Sequence, residues 1–259
     1  MVEWFKALVL KTSEVQASVG SNPTLSATIL PRLFRRVFYY GSAMLYFEYG
    51  EKELNYLKMK DKRLAAVIEK AGIIQRELYP DIFVSLVNSI AGQQISRHAK
   101  ASVWRRFTEL LGGVVTPQAI DAVTEEQLRS CGLSGRKAVY IKRLAQKVLN
   151  GEIDFGAFAD MADEAVIAEL IKLDGIGKWT AEMQLIFLLG RKNILSFGDV
   201  AIQNGLKLLY GHKKITPALV AKYHKRYSPY ASVASFYLWA LANGDVVYER
   251  PRKKSAQAD

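Results

Sequence analysis

One carboxylate, two indoles and a glycine-bearing turn set among lysines are the residues of this chain whose types and spacing can do chemistry. In Leu170-Ile171-Lys172-Leu173-Asp174-Gly175-Ile176-Gly177-Lys178-Trp179-Thr180-Ala181 two helical patterns meet across a turn holding Gly175 and Gly177. Glycine admits positive φ and close backbone approach. A helix starting near Gly177 leaves its first amide donors bare, with Lys172, Lys178, Arg191 and Lys192 around them. Such a helix start cradles phosphate; the same spacing also makes a plain hairpin of two helices. Asp199 precedes Val200-Ala201-Ile202, as a helix N-cap does. A lone carboxylate there is also placed to stabilise growing positive charge and to activate water, and the two roles are compatible. Trp179 and Trp239 offer electron-rich faces that attract a cation by roughly 0.5–2 kcal/mol, or else fill a core. His98, His212 and His224 show no metal-ligand spacing. They read as surface or satisfied polar groups.

Helices must position these groups. From residue 60 onward apolar residues recur at three-to-four spacing, as in Leu64, Val67, Ile68, Ile73 and Ile74, then Ile82 through Ile90, then Val103, Phe107, Leu110 and Leu111. Start and stop signals fall between them: Gly112-Gly113, Thr116-Pro117, a capping box from Thr124 to Gln127, Ser134 before a basic run, Gly151, and Thr216-Pro217. Only Leu45 to Tyr49 and Gly113 to Val115 read as extended, so the expected fold class is all-α.

Composition narrows the partners. The 259 residues are 50% apolar, which supports a sizeable core and excludes a disordered or fibrous chain. Lys and Arg number 36 against 25 Asp and Glu, a net charge of +11 that invites a polyanion. The single cysteine, Cys131, excludes a disulfide framework, a thiolate zinc site and a four-cysteine iron–sulfur cluster, and fits a reducing cytoplasm. No apolar run approaches the roughly 18 residues of a membrane-spanning helix.

Residues 1–43 have a different character. Gly20-Ser21-Asn22-Pro23 back-translates to GGT TCG AAT CCC, Glu3-Trp4-Phe5-Lys6 to GAG TGG TTT AAG, and Val9-Leu10-Lys11-Thr12 fits an anticodon hairpin, so the stretch resembles a translated transfer RNA gene. We expect residues 1–43 to be a non-native or disordered leader with the natural start at Met44, one domain over 44–251, and a frayed polar tail over 252–259.

The motif LDGIGKWTA resembles the hairpin of the helix-hairpin-helix glycosylases, and Leu195-Ser196-Phe197-Gly198-Asp199 resembles the loop and aspartate that follow it. The nearest likeness is to the DNA-3-methyladenine glycosylase II family. Ile90-Ala91-Gly92-Gln93-Gln94-Ile95-Ser96 is similar to that family's wedge loop, and Cys131-Gly132-Leu133-Ser134-Gly135-Arg136-Lys137-Ala138 and Tyr237-Leu238-Trp239 add to the likeness, which spans roughly residues 60–243. Two features depart from it: the mixed α/β domain of some members is missing, and Met183 stands where some have a pocket tyrosine.

The resemblance implies a two-lobed helical fold with the active-site cleft between lobes. It implies a monofunctional enzyme that excises alkylated bases of the 3-methyladenine type from duplex DNA. Asp199 is then catalytic, Trp179, Trp239 and Met183 line the base pocket, and Gln94 wedges into the gap. Gly175, Gly177, Lys178, Lys137 and Ser134 hold the DNA backbone, and carbonyls of Ile171, Leu173 and Ile176 hold a structural monovalent cation; no cofactor serves catalysis. Arg97, Lys100, Arg105, Arg136, Lys142 and Arg143 are further candidates for phosphate. Relatives that also cut the DNA backbone carry a lysine at position 179, where it forms an imine; indole cannot. A monomer in the cytoplasm of a bacterial-type cell is expected. The competing reading is a non-catalytic helix-hairpin-helix module, which needs neither Asp199 nor two tryptophans.

Overall fold

The computed structural model describes residues 45–249. The leader over 1–43 and the tail over 252–259 lie outside the described residues. Among the described residues the regular elements are α-helices and one 3-10 segment at Phe155–Ala159, as the all-α expectation requires. The strand anticipated over Leu45 to Tyr49 survives only as local pairing, with the Phe47 N–H donating to the Arg76 carbonyl at 2.8 Å. No described helix is long and apolar enough to cross a membrane.

The helix starts follow from side chains that satisfy the bare first-turn amides. Asp61 accepts from the amides of Arg63 and Leu64 to begin α2 (Lys62–Ala71), directly after α1 (Glu51–Lys60). Asp81 caps α3 (Ile82–Ala91) and Ser96 caps α4 (Arg97–Leu110). Thr116, with Pro117 at the first helical position, begins α5 (Pro117–Asp121). The capping box of Thr124 and Gln127 forms at the head of α6 (Glu125–Ser130), and Ser134 caps α7 (Gly135–Leu149). One expectation shifts: α2 ends at Ala71 because Gly72 turns at φ 64°, so Ile73 and Ile74 fall beyond the helix.

The described residues divide into two compact units, Glu77–Gln184 with Leu45, and Tyr46–Arg76 with residues 185–249. In the first unit α7 packs against α3, α5 and α6, and α4 packs against α3 and α6, over a core of Leu86, Ile90, Trp104, Phe107, Ile120 and Leu128. The unit also holds α8 (Asp163–Leu170) and most of α9 (Lys178–Phe187).

The second unit is built around α12 (Ala231–Asn243), buried from Ala231 through Leu241. It packs against α1, α2, α10 (Val200–Tyr210) and α11 (Pro217–Tyr227). Gly205 lets α10 and α12 touch backbone to backbone: a Cβ there would lie 2.3 Å from the Leu238 carbonyl oxygen. A buried polar knot ties α2, α10 and α11. Asp61 is 6% exposed and accepts from the Tyr210 hydroxyl at 2.6 Å and from Arg226 at 2.5 Å. Burial pushes the Tyr210 and Tyr227 hydroxyls well above their ordinary range, so both stay protonated donors.

Candidate functional site

In the second unit the structure brings Asp199 and Trp239 together. Asp199 is 7% exposed and caps α10, its Oδ1 accepting the Ile202 amide at 2.9 Å. The same oxygen accepts from the Trp239 indole Nε1 at 3.2 Å. Trp239 cannot swing away from this task. Its ring stacks on Phe187 with centroids 5.6 Å apart and meets Phe236 at 5.9 Å. Phe197 and Gly198, just before the aspartate, are exposed, and the Phe197 carbonyl accepts from Gln203 at 2.8 Å. A carboxylate anchored through one oxygen by two N–H donors, in a setting poor in water, is an oriented negative charge. Sequence reasoning cast Trp239 as a face for stacking. The structure uses its N–H edge and covers one face with Phe187.

In the first unit the hairpin forms as the glycines predict. The turn between α8 and α9 has Gly175 at φ 79°, and a Cβ on Gly175 would come within 2.7 Å of the Tyr140 ring. Gly177 differs: its φ is ordinary, it is exposed, and an added Cβ would meet nothing within 4 Å. Space, not conformation, is what that glycine provides. Beyond it, Trp179 is 48% exposed while Met183, four residues on and so on the same face of α9, is 8% exposed. Lys178 is exposed, and its ammonium lies 3.8 Å from Glu182.

The loop between α3 and α4 carries Gln94, exposed and at φ 55°, the one left-handed non-glycine among the described residues. That conformation disfavours a residue with a Cβ, and such strain gathers at working sites. Beneath it, Gln93 donates from Nε2 to the Gly175 carbonyl at 2.6 Å, tying the loop to the hairpin. Sequence reasoning passed over Gln93; the doubled glutamine was its only signal.

Several cations expected on phosphate are engaged elsewhere. The Lys137 ammonium donates to the Ala91 carbonyl at 2.9 Å and the Gln93 carbonyl at 2.6 Å, so it is turned inward. Lys142 donates to the carbonyls of Ile120, Asp121 and Val123 at the end of α5. Arg143 pairs with Asp174 at 3.1 Å and Arg105 with Glu109 at 3.0 Å. The Lys100 stem folds over Gly92, within 2.5 Å of where a Cβ would be. Arg97 and Arg136 stay exposed, as does Ser134, whose hydroxyl accepts the Lys137 amide at 3.4 Å. His212 bonds the Tyr223 hydroxyl and His224 the Asn193 carbonyl, so both are satisfied polar groups. Among the described residues no cluster of His, Cys, Asp or Glu could hold a metal ion.

A helical chain with a glycine hairpin, a left-handed glutamine in a loop tied to it, and an N-cap aspartate held by an indole describes a DNA-handling class of enzyme. The family model described as HhH-GPD superfamily base excision DNA repair protein matches residues 87–229, and the chain belongs to that family. It is similar to the DNA-3-methyladenine glycosidase of Bacillus halodurans, whose crystal structure shares 39% identity over 77% of this chain and 93% of that one, with a TM-score of 0.70. The 3-methyladenine DNA glycosylase of Schizosaccharomyces pombe, solved in complex with abasic DNA, is 28% identical over 76% of this chain and all of its own, with a TM-score of 0.67. DNA-3-methyladenine glycosylase 1 of the same yeast is 33% identical over 161 residues, 61% of this chain and 71% of its own length.

Proposed function

We propose that this base excision repair protein is a monofunctional, type II DNA-3-methyladenine glycosylase that excises alkylated bases from duplex DNA by hydrolysis. The observation that carries the reading is the double grip on Asp199 Oδ1 by the Ile202 amide and the Trp239 indole. A base must leave the stack before a protein reaches its glycosidic bond. Its departure then places positive charge on the sugar, which a fixed carboxylate stabilises. Ordinary glycosidases need a second carboxyl group to protonate the leaving oxygen. A base alkylated at a ring nitrogen is already cationic and leaves without that proton, so one carboxylate suffices and water completes the reaction.

Trp179 supplies an indole face for the cationic base above Met183, a contact worth roughly 0.5–2 kcal/mol. Because an indole stands at position 179 and Lys178 is turned about 100° around the helix from it, no amine is offered for an imine. Gln94 fills the gap left by the displaced nucleotide. Gly175 shapes the turn, and the amide after Gly177 at the head of α9, with Lys178, Ser134, Arg97 and Arg136, takes phosphates. A structural monovalent cation at the hairpin is part of the same proposal. Leu173 and Ile176 are buried, and the Leu173 carbonyl accepts the Ile176 amide at 3.0 Å, which occupies one of a carbonyl oxygen's two lone pairs. Carbonyl oxygens of Ile171, Leu173 and Ile176, all in the segment joining α8 to α9, are donors of the kind a hard cation of low charge takes, and such a cation would add positive charge where phosphate arrives. We place the enzyme as a monomer in the compartment that holds the chromosome.

The test is to incubate the purified protein with methylated duplex DNA and identify the released bases by chromatography. Release of 3-methyladenine supports the reading. Tight DNA binding with no base released from any alkylated substrate would reduce the protein to a binding module.

A further inference from the structure

Resting on that reading of Gln94, we propose that Lys137 and Gln93 form a latch that sets the posture of the nucleotide-displacing loop, making Lys137 a positioning residue and not a phosphate ligand. The loop is five residues, Gly92 to Ser96, between two helices, and its tip holds a conformation that a glutamine does not choose by itself: Gln94 sits at φ 55°. Something must supply that posture from below. Lys137 sends its ammonium to the Ala91 carbonyl, at the C-terminal end of α3, and to the Gln93 carbonyl, immediately before Gln94, at 2.9 and 2.6 Å. A cation against the closing carbonyls of a helix lies where the helix dipole is negative. Fixing the Gln93 carbonyl fixes the plane of the peptide that enters Gln94, and so limits its φ.

Two further contacts close the frame. The Gln93 side-chain Nε2 donates to the Gly175 carbonyl at 2.6 Å, which ties the same residue to the hairpin turn. The Lys100 stem lies over Gly92 so closely that a Cβ there would be 2.5 Å from it. The loop is thus held at Ala91, Gly92 and Gln93 while Gln94 is left exposed. Burial lowers the pKa of Lys137, as befits an ammonium spent on the protein's own carbonyls instead of held out in water for phosphate.

A phosphate ligand and a latch respond differently when the charge is removed. Loss of a phosphate contact weakens binding to every duplex and flattens the salt dependence by about one ion. Loss of the latch leaves undamaged duplex and its salt slope unchanged, and harms only steps that need the wedge inserted. The experiment uses Lys137→Met, which keeps the stem, on one alkylated base in two settings: paired in a duplex, and in a single strand where no partner must be displaced. Asp199→Asn serves as the chemical control.

We expect excision from the paired site to fall by about tenfold, the scale of a lost charged hydrogen bond, and excision from the single strand by less than about threefold. Hydrogen exchange at the amides of residues 93–95 should quicken, which a surface phosphate contact would not cause. Equal losses in both settings, or an unchanged loop with a flatter salt slope, overturns the latch. If Lys137→Met does not fold, Gln93→Met, which cuts the tie to Gly175, decides by the same split. Failure of the underlying reading looks different: the unaltered protein would then release no base in either setting.

Discussion

Replacing Asp199 by Asn removes one charge and keeps the two contacts made through Oδ1. The Asn carbonyl oxygen can accept the same two N–H groups, from Ile202 and Trp239, that Asp199 Oδ1 accepts at 2.9 and 3.2 Å. Asn caps helices as well as Asp does. The melting temperature should therefore stay within a degree or two, and binding to undamaged duplex within several-fold. The rate should not survive. Removing one preorganised electrostatic partner of a charged transition state costs on the order of 10²–10³-fold, about 2.7–4 kcal/mol.

Asp199→Ala separates the two roles. It forfeits the cap, about 0.5–2 kcal/mol, and leaves the indole N–H of Trp239, 9% exposed, without its acceptor, about 1–3 kcal/mol more. The middle of that range, about 3 kcal/mol, lowers the melting temperature by roughly 6–12 °C. Single-turnover release of 3-methyladenine, with thermal melts of native, Asn and Ala proteins, reads both numbers. An Asn protein that excises within about threefold of native would refute the charge argument and leave Asp199 as a helix cap.

Other perturbations separate the remaining parts. Gly175→Ala forces a Cβ towards the Tyr140 ring at φ 79°, so it should cost about 1–2 kcal/mol in urea unfolding as well as DNA affinity. Gly177→Ala, in open space, should leave stability alone and weaken all duplexes alike in a binding titration. Borohydride should trap no protein–DNA adduct, and strand breaks should need hot alkali; an adduct abolished by changing one lysine would contradict the monofunctional reading. Burial pushes the Glu53 carboxyl up, yet Lys192 at 2.9 Å and the Gly50 amide hold it down to about 2 from 4.5. A carboxyl depressed in the folded state stabilises fully above about pH 4.5 and loses that contribution as pH falls towards 2. Urea midpoints at pH 6, 4 and 2.5 should thus fall more steeply for the native protein than for Lys192→Met.

What could be read in the sequence was what local chemistry dictates. Asp199, Ser134 and Thr116 announce helix starts because a capping side chain acts within three residues, and the Gly175 turn is visible because only glycine takes φ 79° cheaply. Where a long side chain ends is not local. Lys137 and Lys142 looked like phosphate ligands because sequence shows a charge and not the carbonyls 44 and 19 positions away that receive it. The Asp61 knot was invisible for the same reason, its partners lying 149 and 165 residues downstream. Trp239 is a further case of the same kind, since its hydrogen bond to Asp199 spans 40 positions. Its chemistry was read from the ring face, while the fold uses the N–H.

The interleaving of the two units governs how the chain can be made. Glu77–Gln184 forms one continuous stretch, whereas the second unit joins Tyr46–Arg76 to residues 185–249. A ribosome therefore delivers the whole first unit while α1 and α2 still wait for α10, α11 and α12. At 5–20 residues per second the 149 residues between Asp61 and Tyr210 take roughly 7–30 seconds to emerge. During that interval Leu64, Val67 and Ile68, all buried in the finished protein, lack the α10 and α12 surfaces against which α2 packs. The flanking run Lys58 to Arg63, with four lysines or arginines among its residues, keeps the waiting segment solvated. A nascent chain of this repair enzyme thus holds its second unit open until late in synthesis, and α12, the last helix among the described residues, both completes the core and delivers the indole that grips Asp199.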